Sequence, residues 1–174
     1  TYRQKVLPEV QKKLGVKNLL AAPRILKVVI NIGIGSYTQR KDKDYNPLVE
    51  RVAAISCQKP LVTLASKAIS NFKLRVGMPT GIKTTLRNKR MLCFIDKLIH
   101  VALPRIRDFR GISRKSFDGN GNYSIGLQEI TAFPEIRIDD VSKLHGVQIN
   151  IITSTDDDAQ ALTLLESLGL PFKK

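Results

Sequence analysis

The sequence predicts an α+β fold: an open, mostly antiparallel sheet with helices packed on one face, a polar opposite face, and long projecting loops. Three observations predict it. Several short stretches alternate apolar and polar residues, the period of a half-buried strand. Longer stretches repeat apolar residues at helical spacing. No internal repeat or low-complexity linker divides the 174 residues, so residues 1–174 read as a single domain with one buried core.

Residues 1–14 predict a short amphipathic helix with Val6, Val10 and Leu14 in register, its start limited by Pro8. In RILKVVINIGIG, Leu26, Val28, Ile30 and Ile32 fall on one side of a strand and Ile25, Lys27, Val29 and Asn31 on the other, with Gly33 and Gly35 ending it. The glycine pair lacks the third glycine of a dinucleotide fingerprint and reads as a turn. Residues 39–45 form a polar loop. Asn46 is placed to cap a helix with Pro47 at its first position and Leu48, Val49, Val52, Ala53 and Ile55 as its buried stripe.

PLVTLA (60–65) is strand-like and SKAISN (66–71) a helical or turn segment. Phe72, Leu74 and Val76 then alternate with Lys73 and Arg75, and Ile82, Thr84 and Leu86 with Lys83, Thr85 and Arg87. The intervening GMPTG suggests a hairpin with a projecting tip. Asn88 starts the clearest helix, with Met91, Leu92, Ile95, Leu98, Ile99, Ala102 and Leu103 on one face and Pro104 as its end. After a long loop, Tyr123, Ile125 and Leu127 mark a strand, Val147, Ile149 and Ile151 mark another, and residues 155–169 form a terminal helix stopped by Gly169 and Pro171.

The charge is large and uneven. The net charge is +14; residues 1–128 carry 25 Lys and Arg against 7 Asp and Glu, and residues 129–174 carry 4 against 8. A basic body with a mildly acidic C-terminal quarter points to a polyanionic partner. The polar sheet face collects Lys27, Asn31, Lys83, Thr85, Arg87, Gln148 and Asn150. Amides, hydroxyls and cations without a facing carboxylate suit phosphates, 2′-hydroxyls and base edges. Phe72 and Tyr123 lie in the apolar register, so the face lacks stacking aromatics and favours a folded RNA over single strands.

Enzyme and metal chemistry find little support. Cys57 and Cys93 have no CxxC partner and read as buried, inert thiols of a reducing compartment. His100 and His145 are isolated. Asp156, Asp157 and Asp158 suit the positive end of a helix better than a metal. No cofactor is implied. No apolar run approaches the ~20 residues of a membrane span, and no basic amphipathic helix suggests a membrane surface.

In chain order, INIGIG (30–35), QKPLVTLASKAISNFKLRVGMPTG (58–81), TLR (85–87), RMLCFIDKLIHVALPRIRDFRG (90–111), SFDGNGNYSIGLQE (116–129), FPEI (133–136) and LPF (170–172) resemble the universal large-ribosomal-subunit protein five family, of bacterial or organellar type. The family is the 5S rRNA-binding protein of the central protuberance. The resemblance implies a non-enzymatic ribosomal constituent, cytoplasmic if bacterial and otherwise in an organelle matrix or stroma. It assigns 5S rRNA binding to Asn31, Gln58, Thr63, Lys67, Lys83, Thr85 and Arg87. A P-site tRNA contact is implied for the loop Lys73, Arg75, Gly77, Met78, Pro79, Thr80 and Gly81. A bridge to small-subunit protein thirteen is implied for Asp108, Phe109, Arg110, Ser113, Arg114, Lys115, Asn120 and Asn122, with FDGNGNYSIG as an adaptable arm. Further partners implied are 23S-type rRNA and other central-protuberance proteins. Three positions depart from the family pattern. Cys57 replaces a usual glycine, Ile130 follows Glu129 where a Glu-Gln pair is usual, and HGVQI (145–149) replaces Arg-Gly-Met-Asp-Ile, which removes a cation at His145.

Overall fold

The computed structural model describes residues 2–35, 44–136 and 145–173. The expected loop at 39–45 therefore lies mostly outside the described residues. Five strands form one open sheet: β1 Ile25–Gly33, β2 Leu61–Leu64, β3 Pro79–Leu86, β4 Tyr123–Leu127 and β5 Val147–Thr153, in the order β2-β3-β1-β5-β4. The sheet is antiparallel and the fold is α+β. Leu61 is paired with Lys83 and Thr63 with Gly81 across β2 and β3. The end of β1 meets the start of β3 where the Ile34 N–H donates to the Thr80 carbonyl at 3.0 Å. The Ser154 N–H donates to the Arg24 carbonyl at 2.9 Å, joining the end of β5 to the start of β1.

Chain contacts divide the molecule into two units: residues 1–28, 86–125 and 149–174 form the first, and residues 29–85 and 126–148 the second. In the first, helix α1 (Tyr2–Leu14) lies against the C-terminal helix α4 (Asp158–Ser167), and Lys13 Nζ donates to Ser167 Oγ at 3.1 Å. Pro8 sits inside α1 rather than limiting its start. Helix α3 begins as Asn88–Lys97, widens into a π-helical segment Leu98–Ala102, and closes with the turn Leu103–Arg105. The expected stop at Pro104 is thus one residue early. Proline brings no N–H to the His100 carbonyl, and just before it the Leu103 N–H reaches back to the Leu98 carbonyl, a five-residue step. Met91, Phe94, Ile95, Leu98, Ile99, Ala102 and Leu103 are buried.

The long loop after α3 is tied down at several points, and the expected arm FDGNGNYSIG (117–126) is among the tied parts. Ile112 bridges to Phe172 in the C-terminal segment: its N–H donates to the Pro171 carbonyl at 2.8 Å, and its carbonyl accepts from Lys173 at 2.9 Å. Tyr123 is buried between Phe117 and Phe172, with ring centroids 4.7 and 5.6 Å away. Asp118 accepts from the Asn120 and Asn122 N–H groups and from Asn122 Nδ2. Gly121 donates to Asp158 Oδ1 at 2.8 Å, and its carbonyl accepts from Thr153 Oγ1 at 2.8 Å.

In the second unit, helix α2 (Asn46–Ser56) covers its core with Leu48, Val52 and Ile55. Asn46 is the first helical residue rather than the cap, its N–H held by Asp44 Oδ1 at 2.9 Å. Ile30, Ile32, Ile34, Ile82, Val147 and Phe133 fill the same core. The alternation of β3 is as the sequence predicts: Ile82, Thr84 and Leu86 are buried, and Lys83 and Thr85 face the other way. In β1 the order breaks near its start, where Ile25 is buried and Leu26 exposed, before Val28, Ile30 and Ile32 resume the buried set.

The expected strand at Phe72–Val76 is absent. Residues Ser70–Phe72 form a 3-10 turn, Lys73 follows in the left-handed region, and only Ile69 and Leu74 bridge. The true antiparallel partner of β3 is β2.

Both cysteines are exposed, which corrects the reading of buried thiols. Cys57 ends α2 at φ 50°, ψ 32°, the left-handed cap for which glycine is favoured. The side chain is therefore carried at a conformational cost. Cys57→Gly should raise stability by about 1 kcal/mol, read as a higher urea midpoint with an unchanged slope. Gly121 is the opposite case. At φ +69° an added Cβ would lie 2.1 Å from the Thr155 carbonyl oxygen. Gly121→Ala should destabilise by on the order of 3 kcal/mol, measured by the same denaturation; an unchanged midpoint would show the loop to be unpinned.

Candidate nucleic-acid interface

In the second unit the structure places Asn31, Lys83 and Thr85 on the sheet, with Gln58 and Thr63 beside them. The point of convergence is Gly81. A Cβ there would lie 3.0 Å from Thr63 Oγ1 and 3.6 Å from Asn31 Oδ1, so the missing side chain lets these two polar groups close over β3. Thr63 Oγ1 donates to the Gly81 carbonyl at 3.0 Å, and Thr80 Oγ1 donates to the Thr63 carbonyl at 3.1 Å. Gln58 Nε2 donates to the Thr85 carbonyl at 3.2 Å. That bond fixes the Gln58 side chain beside Thr85, so one of its polar groups has an internal task. Lys83 is exposed on the same face as Leu61, its cross-strand partner. Arg87 leaves the end of β3 exposed, in extended backbone just before α3.

Lys67 belongs elsewhere. It lies on an excursion between β2 and β3, closed at its base by the Ala65 N–H to the Met78 carbonyl at 2.8 Å and the Gly77 N–H to the Ala65 carbonyl at 3.0 Å. The expected tip at 77–81 is therefore shifted. Pro79, Thr80 and Gly81 are strand residues, with Gly81 buried, and the parts that project are Lys67, Lys73, Arg75 and Gly77. Met78 is half-buried, its sulfur accepting from the Arg75 N–H. The excursion also exposes Ile69, Phe72 (62%) and Val76 (68%), next to Leu61 (67%) and Leu64 (60%) on β2. Phe72 is thus a surface aromatic, contrary to its expected place in the core.

The charge along this part of the chain is of one sign. Between Glu50 and Asp96 the chain has nine cations, Arg51, Lys59, Lys67, Lys73, Arg75, Lys83, Arg87, Lys89 and Arg90, and no carboxylate. This acid-free run is a sequence signal that marks the surface more directly than the net charge does. Among the described residues, none of Lys59, Lys67, Lys73, Arg75, Lys83 and Arg87 has an ion-pair partner.

In the first unit the loop residues separate into two groups. Arg114 is held by Glu166 at 2.9 Å. Asn122 is spent on Asp118 and, through Oδ1, on the Thr153 N–H at 3.3 Å. The Asn122 side-chain amide, and then the backbone N–H groups of Asn120 and Asn122, hold the Asp118 carboxyl below its ordinary value. Arg110, Ser113, Lys115 and Asn120 remain exposed, and Phe109 is half-buried. Asp108 adopts φ 55° beside Arg107, 3.9 Å away.

The three consecutive aspartates do not converge. Asp157 caps α4 by accepting from the Ala159 N–H, and Asp158 anchors Gly121. Among the described residues no cluster of three or more metal-ligating side chains occurs, and no helix is long and apolar enough to cross a membrane. His145 is buried, so the position where the resemblance places an arginine is turned inward.

Residues 18–75 match the family model for ribosomal protein L5, and residues 79–172 match the model for the C-terminus of the same ribosomal family. The chain is 50% identical to the large ribosomal subunit protein uL5 of Symbiobacterium thermophilum over 171 residues, 98% of this chain and 94% of that protein. It is 48% identical to uL5 of Synechocystis sp. over 172 residues, 99% and 95% of the two chains, and 50% identical to uL5 of Acidobacterium capsulatum over 171 residues, 98% and 93%. The chain belongs to the ribosomal protein L5 family, in its bacterial type, a family of structural ribosomal proteins and not of enzymes.

Proposed function

We propose that, as a structural constituent of the large ribosomal subunit, this chain holds 5S rRNA on the polar side of β1, β2 and β3. The observation that carries the reading is the convergence of Asn31 and Thr63 around Gly81, with Lys83 and Thr85 further along the same strand, inside a stretch of sequence with no carboxylate in which Arg87 follows. Hydroxyls and amides fixed on a sheet can meet 2′-hydroxyls and base edges, while the cations meet phosphates. The sheet side has an exposed leucine, Leu61, but no exposed aromatic among the described residues, which supports a folded RNA gripped by shape. Gln58 acts in this reading by fixing the Thr85 segment. Chain affinity for 5S rRNA should fall steeply with salt as condensed ions are released. Thr85→Ala or Arg87→Ala should each cost on the order of 1–3 kcal/mol of binding, measured by filter binding or calorimetry with 5S rRNA. Wild-type affinity in both variants would overturn the assignment.

The excursion between β2 and β3 is the part that supports a contact with P-site tRNA. Lys73 and Arg75 supply charge, and Phe72 supplies an exposed ring beside them. The combined change Lys73→Ala and Arg75→Ala should leave 5S rRNA affinity intact and weaken P-site tRNA binding to reconstituted ribosomes; an equal loss of both would contradict this division. In the first unit, Arg110, Lys115 and Asn120 are the exposed candidates for the bridge to small-subunit protein thirteen, and Arg114 and Asn122 hold the loop that presents them.

A further inference from the structure

Asn120–Gly121 is the one Asn–Gly pair in the sequence. Such a pair is the most open of all to spontaneous deamidation, because no Cβ obstructs the next backbone nitrogen as it approaches the side-chain carbonyl carbon. Asparagine is thermolabile chiefly through this reaction. Asn120 is exposed, so water reaches its side chain. Gly121 is the opposite case, buried and tied on every side. Its N–H donates to Asp158 Oδ1 at 2.8 Å, and its carbonyl accepts from Thr153 Oγ1 at 2.8 Å. The Thr155 carbonyl packs so closely that a Cβ on Gly121 would lie 2.1 Å from its oxygen. On either side of this residue, the Asn120 and Asn122 N–H groups donate to Asp118 Oδ1 at 2.9 and 3.1 Å.

We infer that Asn120 is a latent deamidation site, and that Asp158 keeps it unreacted by holding the Gly121 N–H. In the reaction the Gly121 nitrogen loses its proton and bonds to Asn120 Cγ. The Cγ–Nδ2 bond breaks, and the amide leaves as ammonia with that proton. Water then opens the five-membered imide, giving aspartate when it attacks Cγ and isoaspartate when it attacks the backbone carbonyl carbon. Attack requires the peptide between Asn120 and Gly121 to turn its nitrogen toward the Asn120 side chain. That rotation carries the N–H away from Asp158 and breaks a hydrogen bond to a charged acceptor. Asp158 is no base for this step, since a carboxylate is far too weak to take an amide proton. Once the tie is lost, an exposed neutral amide becomes a carboxylate in a loop whose exposed Arg110 and Lys115 are positive. The consequence for the subunit bridge rests on the proposed function; the chemistry does not, and is measured on the free chain.

The test incubates the full chain, Asp158→Ala and Asp158→Asn in neutral buffer. The peptide containing residue 120 is then read by mass spectrometry, with isoaspartate separated from aspartate by chromatography. Asp158→Ala should deamidate at Asn120 roughly tenfold faster than the wild type or more, the scale set by losing a hydrogen bond to a charged group. Asp158→Asn, whose amide oxygen can still accept, should fall between the two. A rate in Asp158→Ala at or below that of the wild type overturns the inference, and slowing in both variants would make Asp158 a promoter of the reaction. Global unfolding is separated with denaturant, each chain being brought to the same unfolded fraction. Under that condition Leu48→Ala, which opens a cavity in the core of the second unit, should react at the wild-type rate while Asp158→Ala stays faster. Equal rates in all three chains would place the protection in folding as a whole and also overturn the inference.

Discussion

The period-two alternation of β3 is the constraint on which the second unit depends. Ile82, Thr84 and Leu86 must be buried together, so Lys83 and Thr85 must share the other side. A slip of one residue would place a lysine in the core and three core side chains in solvent, which fixes the register strongly. Everything assigned to RNA inherits that choice. Leu61 and Thr63 face outward because they pair with Lys83 and Gly81, and the Asn31 and Thr63 side chains both border the space that a side chain at Gly81 would fill. The same strand therefore builds a core on one side and a hydrogen-bonding surface on the other without any added element.

Elements whose signal is local were legible in the sequence. The buried sets of β3, β4 and β5 follow from alternation alone, and α3 from its apolar spacing. The failures come where the deciding interaction is distant. FKLRV alternates better than LVTL, yet LVTL is the strand, because a strand needs a partner backbone and β3 takes β2. Once β2 is paired, residues 66–77 become a connection, and Phe72 and Val76 lose the core that their spacing suggested. Pro104 illustrates a milder miss. It breaks the hydrogen-bond ladder as expected, but the backbone answers with a π-helical step and the short turn Leu103–Arg105.

The candidate site was legible in composition and less so in geometry. Asn31, Thr63, Lys83 and Thr85 are strand residues and Arg87 follows the end of β3, whereas Lys67 and Pro79–Gly81 exchange places between sheet and loop. Cys57 shows why a family departure need not move a backbone. The helix end is dictated by the Ser56 hydroxyl, which donates to the Val52 carbonyl at 2.6 Å and lies 3.0 Å from the Gln58 carbonyl. Cys57 follows into the left-handed region that these contacts impose. The loop at 106–122 is similar in kind: its course is set by Asp158, Thr153 and the C-terminal segment, residues far along the chain that no local pattern could connect.

The charge that makes the surface attractive to RNA also works against the free protein. Lys59, Lys67, Lys73, Arg75, Lys83 and Arg87 have no ion-pair partner among the described residues, and like charges so placed repel one another in the folded state. Salt screens this repulsion over a Debye length of about 8–10 Å at physiological ionic strength. It also removes the entropic gain of releasing ions from RNA. The same cations therefore tie two opposite salt responses together, a firmer free chain and a weaker complex. Bound RNA provides the neutralisation that the chain lacks, so binding and folding stability are linked by mass action. The sheet, whose register is set by apolar residues, keeps these cations in place until that partner arrives.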